Sequence, residues 1–156
     1  MQYRVEKASR ADIEAIAAFQ FELVKETDHL KPDLERMLRG VRRVFEDSSI
    51  GFYLVARDDS GTPAGCLLIQ REWSDWRDAF IWWIHSVYVS PECRKRGILR
   101  SLIVQAEHLA RKEGAAGLRL YAETNNMTAK AAYEKVGFTP GEYDFFEKMF
   151  SPQYCS

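Results

Sequence analysis

Arg94, Lys95, Arg96, Gly97 and Arg100 put four basic side chains and a glycine into one short stretch, with no acidic residue between positions 94 and 100. An apolar run at 80–89 precedes them, and a segment with helically spaced apolar residues follows. A strand that ends in a basic, glycine-bearing turn and opens into a helix is a natural phosphate site. The first helical N–H groups lack intrahelical partners, and the helix dipole adds partial positive charge at the same place. The competing readings of the run are a solvated helix start and a nucleic-acid or nuclear-localisation patch. His85 lies in the apolar run, two residues before Val87 and four before Val89, so strand alternation puts all three on one face. It can serve as a general base or sit as a buried, hydrogen-bonded histidine. Trp73, Asp75, Trp76 and Asp78 form a polar–aromatic stretch. Such a stretch can receive a cationic amine through cation–π contact and ion pairing, or pack a hairpin or a homodimer contact.

The elements that must position these residues can be traced along the chain. Residues 3–7 alternate weakly and predict a first strand. Ser9 is an N-cap candidate with Asp12 in the capping-box position, and Ile13, Ile16, Ala17, Gln20, Leu23 and Val24 predict a helix to about Glu26. Pro32 suits the first turn of a second helix, whose face carries Leu34, Leu38, Val41 and Phe45 and which ends near Asp47. Residues 51–57 and 64–71 predict two strands joined by a hairpin turn at 58–61. A loop at 73–78 leads to the apolar run at 80–89, which reads as a central strand buried on both sides. Leu99, Leu102, Ile103, Ala106, Leu109 and Ala110 predict a helix stopped by Gly114 or Gly117. Residues 118–122 predict a strand, and Ala129, Ala132, Tyr133 and Val136 predict a helix stopped by Gly137. Residues 138–139 and 143–150 supply one or two last strands. The order β-α-α-β-β-β-α-β-α-β(-β) specifies one α/β domain over 1–156, with parallel pairing in its β-α-β portion.

Composition excludes several classes. The net charge of −1 argues against a general nucleic-acid binder. The polar start of the chain has no signal-peptide core, and no apolar run approaches the ~18 residues of a membrane span, so a cytoplasmic location is expected. Three widely spaced cysteines with no C-x-x-C give neither a disulfide framework nor a metal site. Cys93, beside the basic turn, is a candidate reactive thiol.

Two blocks carry a resemblance. Val87-Tyr88-Val89-Ser90-Pro91, followed by Arg94-x-x-Gly97-x-Leu99, is similar to a V-x-P strand end and a Q/R-x-x-G-x-G/A turn. Asn126-x-x-Ala129-x-x-x-Tyr133-x-x-x-Gly137-Phe138 is similar to an N-x-x-A-x-x-x-Y-x-x-x-G-F helix. Together they resemble the GCN5-related N-acetyltransferase superfamily, and the element order resembles it over essentially the whole chain. Leu99 departs from the pattern, placing a large side chain where the family has a small one.

The resemblance implies a mixed, mostly antiparallel central sheet of six to seven strands with helices on both faces. It implies acetyl-CoA as cosubstrate and no metal. The acceptor would be a primary amine, on a small molecule or on a peptide or protein, that attacks the thioester directly in a ternary complex. Pyrophosphate would be held at Arg94, Lys95, Arg96, Gly97, Ile98, Leu99 and Arg100. Pantetheine would pair with the edge of Val87, Tyr88 and Val89, where the family splays two strands apart, and with Asn126. Tyr133 matches the family's general acid for the leaving thiolate; its other reading is a core tyrosine. An amine of pKa about 10.4 costs roughly 4–5 kcal/mol to deprotonate at pH 7, so a base is needed. His85 is the first candidate for it, with Glu123 and Glu72 behind. The family's acceptor region maps onto Glu26, Asp28 and His29, and Trp73 and Asp75 join the acceptor-binding candidates. The alternative is a non-catalytic acyl-CoA sensor or scaffold. Neither nucleic acid nor membrane is an expected partner.

Overall fold

The computed structural model describes residues 2–26 and 31–150. Its described elements run β1 (Arg4–Lys7), α1 (Ile13–Lys25), α2 (Leu34–Glu46), β2 (Phe52–Arg57), β3 (Pro63–Ser74), β4 (Ala79–Val89), α3 (Ile98–Lys112), β5 (Gly117–Arg119) and α4 (Met127–Lys135). The strands form one sheet in chain order, antiparallel from β1 to β4 and parallel between β4 and β5. No helix among the described residues is long and apolar enough to cross a membrane.

Both sheet faces are covered, each for a reason visible in the strands. Leu54, Ala56, Leu67, Ile69, Trp82 and Ile84 point to one side and meet Ile98, Leu102, Ile103 and Ala106 of α3. Tyr53, Cys66 and Leu68 point to the other and meet Ile13, Ile16 and Ala17 of α1 and Val41 and Val44 of α2. Each such fully buried aliphatic or aromatic side chain contributes about 1.5–3 kcal/mol. Burial on the α1 side lifts the Cys66 thiol to about 12, leaving it protonated and inert. The entry to α1 is fixed by the capping box, in which Asp12 accepts from the Ser9 backbone N–H at 2.8 Å. Arg57 donates to both Asp12 (2.7 Å) and Glu6 (2.6 Å), tying β1, the turn before α1 and β2 together.

The structure departs from the sequence expectation in several places. The sheet has five strands among the described residues, not six or seven. After α4 the run 143–150 forms no strand: adjacent Phe145–Phe146 and Glu147–Lys148 break the alternation that would bury one face. β5 stops at Arg119 instead of reaching 122, because only its first residues lie beside β4. β3 continues to Ser74, since Trp73 pairs with Phe80 and their rings meet edge-on at 5.0 Å, leaving a four-residue turn at 75–78 in place of the expected loop. Pro32 precedes the cap of α2 rather than entering its first turn. Asp33 is the N-cap and accepts from the Arg36 backbone N–H at 3.1 Å.

Candidate active site

The site begins with a fault in β4. His85 pairs with Leu68 but Tyr88 pairs with Cys66, so one β3 residue, Leu67, faces two of β4, Ser86 and Val87. This is a β-bulge, and it holds Ser86 at φ 54°. The Ser86 carbonyl accepts from the buried Gln20 side chain of α1 at 3.1 Å, which anchors the bulge. The expected alternation fails here. His85 shares a face with Tyr88 and the α1 layer, whereas Val87 and Val89 pack against the α3 core.

Beyond the bulge the sheet opens. β5 pairs only with Ile81, Trp82 and Trp83. Residues 84–89 have β3 on one side and no described strand on the other. A cleft of about 450 Å³ fills the gap, lined by Leu23, Leu68, Gln70, Ile84, His85, Ser86, Val87, Tyr121 and Tyr133. His85 and Tyr133, 48 positions apart in the chain, thus share one cleft. Burial pushes the His85 imidazole below its usual 6.5, so it is neutral and carries a lone pair at neutral pH. Burial pushes the Tyr133 phenol above its usual 10, so it keeps its proton. Tyr121 was not among the sequence candidates. Its signal was positional: Leu118 and Leu120 pack toward the core, which sends Tyr121 to the opposite face.

At the end of β4 a 3-10 turn, Pro91–Cys93, leads into the basic turn. Arg94 is turned back on the fold. Its Nε donates to the Val89 carbonyl at 2.8 Å, its guanidinium pairs with Glu26 at 2.8 Å, and it lies over the Tyr88 ring at 5.4 Å. Tyr88 itself is buried, so only its main chain remains for a ligand. Lys95 (φ 62°) and Gly97 (φ 80°) take left-handed conformations. Gly97 is there for its backbone, since an added Cβ would meet nothing within 4 Å. The turn delivers the chain to Ile98, whose side chain is buried and starts α3. Lys95, Arg96 and Arg100 are exposed and have no ion pair with a described residue. Leu99 packs against the α3-side core, so the large residue at the family's small position is taken up inside the fold. Cys93 packs against that core as well.

The other candidates scatter. Asn126 caps α4, accepting from the Ala129 backbone N–H at 3.0 Å. Glu123 is exposed in the loop after β5 and is not among the cleft-lining residues. Glu72 accepts from Trp83 Nε1 at 3.1 Å and from Arg119 at 3.3 Å. Trp73 and Asp75 lie at the opposite end of the hairpin. Trp73 pairs with Phe80, five residues and about 17 Å of strand from His85, so neither shares the cleft. Asp28 and His29 lie outside the described residues. Among the described residues no three His, Cys, Asp or Glu side chains gather as metal ligands would.

A family model described as "Acetyltransferase (GNAT) family" matches residues 11–138. A crystal structure described as a possible acetyltransferase from Clostridium difficile 630 is 32% identical, covers 97% of this chain and 99% of that one, and superposes with a TM-score of 0.87. Streptothricin acetyltransferase of Escherichia coli is 33% identical over 108 residues, 64% of this chain and 61% of that protein. Mycothiol acetyltransferase of Beutenbergia cavernae is 34% identical over 88 residues, 56% of this chain and 28% of that protein. The match therefore spans less than two thirds of the length of either curated relative. An aminoglycoside N-acetyltransferase solved with coenzyme A shares the fold, at a TM-score of 0.80 and 14% identity over 95% of each chain.

Proposed function

The chain belongs to the acetyltransferase (GNAT) family, and from that premise we propose that it acts as a single domain over 1–156, moving an acetyl group from acetyl-CoA to a primary amine in a ternary complex. The observation that carries this reading is the open half of β4, with His85 and Tyr133 in one cleft and the basic turn at its end.

The residues present fit coenzyme A. Main-chain N–H groups of the first turn of α3 have no intrahelical acceptor. With Lys95, Arg96 and Arg100 beside them they suit a pyrophosphate. The β4 edge beyond Trp83 suits the amide-bearing pantetheine arm, paired as an added strand would be. When bound, acetyl-CoA supplies the activated thioester. His85, neutral in the cleft, takes the proton that the attacking ammonium must lose, directly or through water. Tyr133 gives its phenolic proton to sulfur as the C–S bond breaks, and burial keeps that proton in place until then. Arg94 holds the turn to β4 and α1, so its contribution to the coenzyme is positional.

Thermal melting with acetyl-CoA tests the reading. At about 100 times its dissociation constant a ligand stabilises by about 2.7 kcal/mol, which for a chain of this size raises Tm by about 5–10 °C. The double change Lys95→Glu, Arg96→Glu, which leaves Arg94 in place, is expected to abolish the shift. An unshifted wild-type melting curve would sink the coenzyme claim.

A further inference from the structure

Four aromatic rings stand in contact in a row, and two of them, His85 and Tyr121, line the cleft. Trp83 stacks on His85 with centroids 5.8 Å apart and planes 4° apart. Tyr121 leans on both, 5.4 Å from His85 and 6.1 Å from Trp83. Phe145, from the segment after α4, lies 5.0 Å from Tyr121. Tyr121, which lines the cleft, is 56% exposed and Phe145 beside it is 62% exposed, so this end of the row faces solvent. Contiguous exposed aromatic surface of this kind marks a binding surface. Apart from Tyr133, the remaining apolar lining is aliphatic, from Leu23, Leu68, Ile84 and Val87. Among the described residues no carboxylate lines the cleft. Two carboxylates near this row, Glu72 and Glu26, are already matched. Glu72 pairs with Arg119 at 3.3 Å, and Glu26 pairs with Arg94 at 2.8 Å.

We infer that the acceptor is an arylalkyl primary amine, a single amine on a flat apolar body. The inference rests on the acetyl-transfer reading above and narrows its substrate. The amine nitrogen must reach within about 3 Å of the His85 imidazole, or one water further. Tyr121 stands beside that imidazole, and Phe145 stands beside Tyr121, so whatever the nitrogen carries leaves the cleft along those two rings. A flat ring there meets aromatic faces at the 4.5–7 Å spacing such pairs favour. A polyamine or an aminoglycoside would bring several charges to a lining that offers no unpaired carboxylate, and unpaired charge is costly to desolvate. Tyr121 and Phe145 are thus specificity-determining residues.

The test compares kcat/KM for 2-phenylethylamine, n-hexylamine, spermidine and an aminoglycoside, with acetyl-CoA melting as the control. 2-Phenylethylamine is expected to exceed n-hexylamine by about tenfold, and to exceed spermidine and the aminoglycoside by more. Tyr121→Ala is expected to erase the aryl-over-alkyl preference, and Tyr121→Asp to turn the preference toward spermidine. Both changes are at an exposed position, so the fold is expected to survive them. A wild-type preference for spermidine or the aminoglycoside overturns the substrate assignment and leaves acetyl transfer standing. A coenzyme-induced melting shift with no amine acetylated overturns acetyl transfer itself, and the substrate assignment with it.

Discussion

Residues 79–83 and 84–89 are halves of one apolar strand, yet they serve different ends. The first half has β3 on one side and β5 on the other, and its Trp82 is 1% exposed in the core. The second half keeps β3, loses β5, and carries His85 beside a bulge. Both halves are mostly apolar, the second carrying only His85 and Ser86 as polar residues. The difference lies in which backbone groups are already paired: residues 81–83 pair with strands on both sides, whereas 84–89 pair only with β3.

Substitutions in and around the two halves can break or sharpen that contrast. The largest effect belongs to Trp82→Ala. It leaves a large cavity beneath α3 and is expected to lower stability by about 3–5 kcal/mol, read by chemical denaturation. Enzyme that remains folded should turn over normally. A folded Trp82→Ala protein that is catalytically dead would break the division between the halves. Tyr133→Phe comes next: turnover is expected to fall about a hundredfold, with the acetyl-CoA melting shift retained. Unchanged turnover would remove Tyr133 from proton transfer. His85→Gln is the smallest, about tenfold at pH 7. Burial depresses the His85 pKa, so the wild type loses activity only as pH falls through a value below 6.5 and the base becomes protonated. The acid limb of its kcat/KM profile should lie there, and His85→Gln should flatten it. An acid limb that persists unchanged in the variant assigns the titration to another group.

Much of the scaffold was legible because burial repeats. The helical spacing of Ile13, Ile16, Ala17 and Gln20 and the alternation in β2 and β3 each satisfy one packed face, and both motif blocks fall where the fold needs them. The bulge was not legible. Ser86 sits in a mostly apolar run with no glycine or proline to announce a left-handed residue, and its carbonyl is held by Gln20, 66 positions away. Missing it put His85 on the wrong face. The extent of β5 was hidden for a related reason: a strand ends where its neighbour turns away, and the turn was encoded in β4. Trp73 and Asp75 looked like acceptor ligands by residue type alone, and only the register of the hairpin places them at its far end.

The free edge of β4 also bears on how this chain meets other chains. An unpaired strand with apolar flanks normally invites another chain to add to it, the first step of aggregation. Here the free edge is short: it spans residues 84–89, begins where β5 ends and runs beside the cleft that Tyr121 and Tyr133 line. A strand from a second molecule would have only that stretch to pair with before meeting β5, and very short edges are poor templates for strand addition. The length of the unpaired edge, not its concealment, is what limits misassembly there.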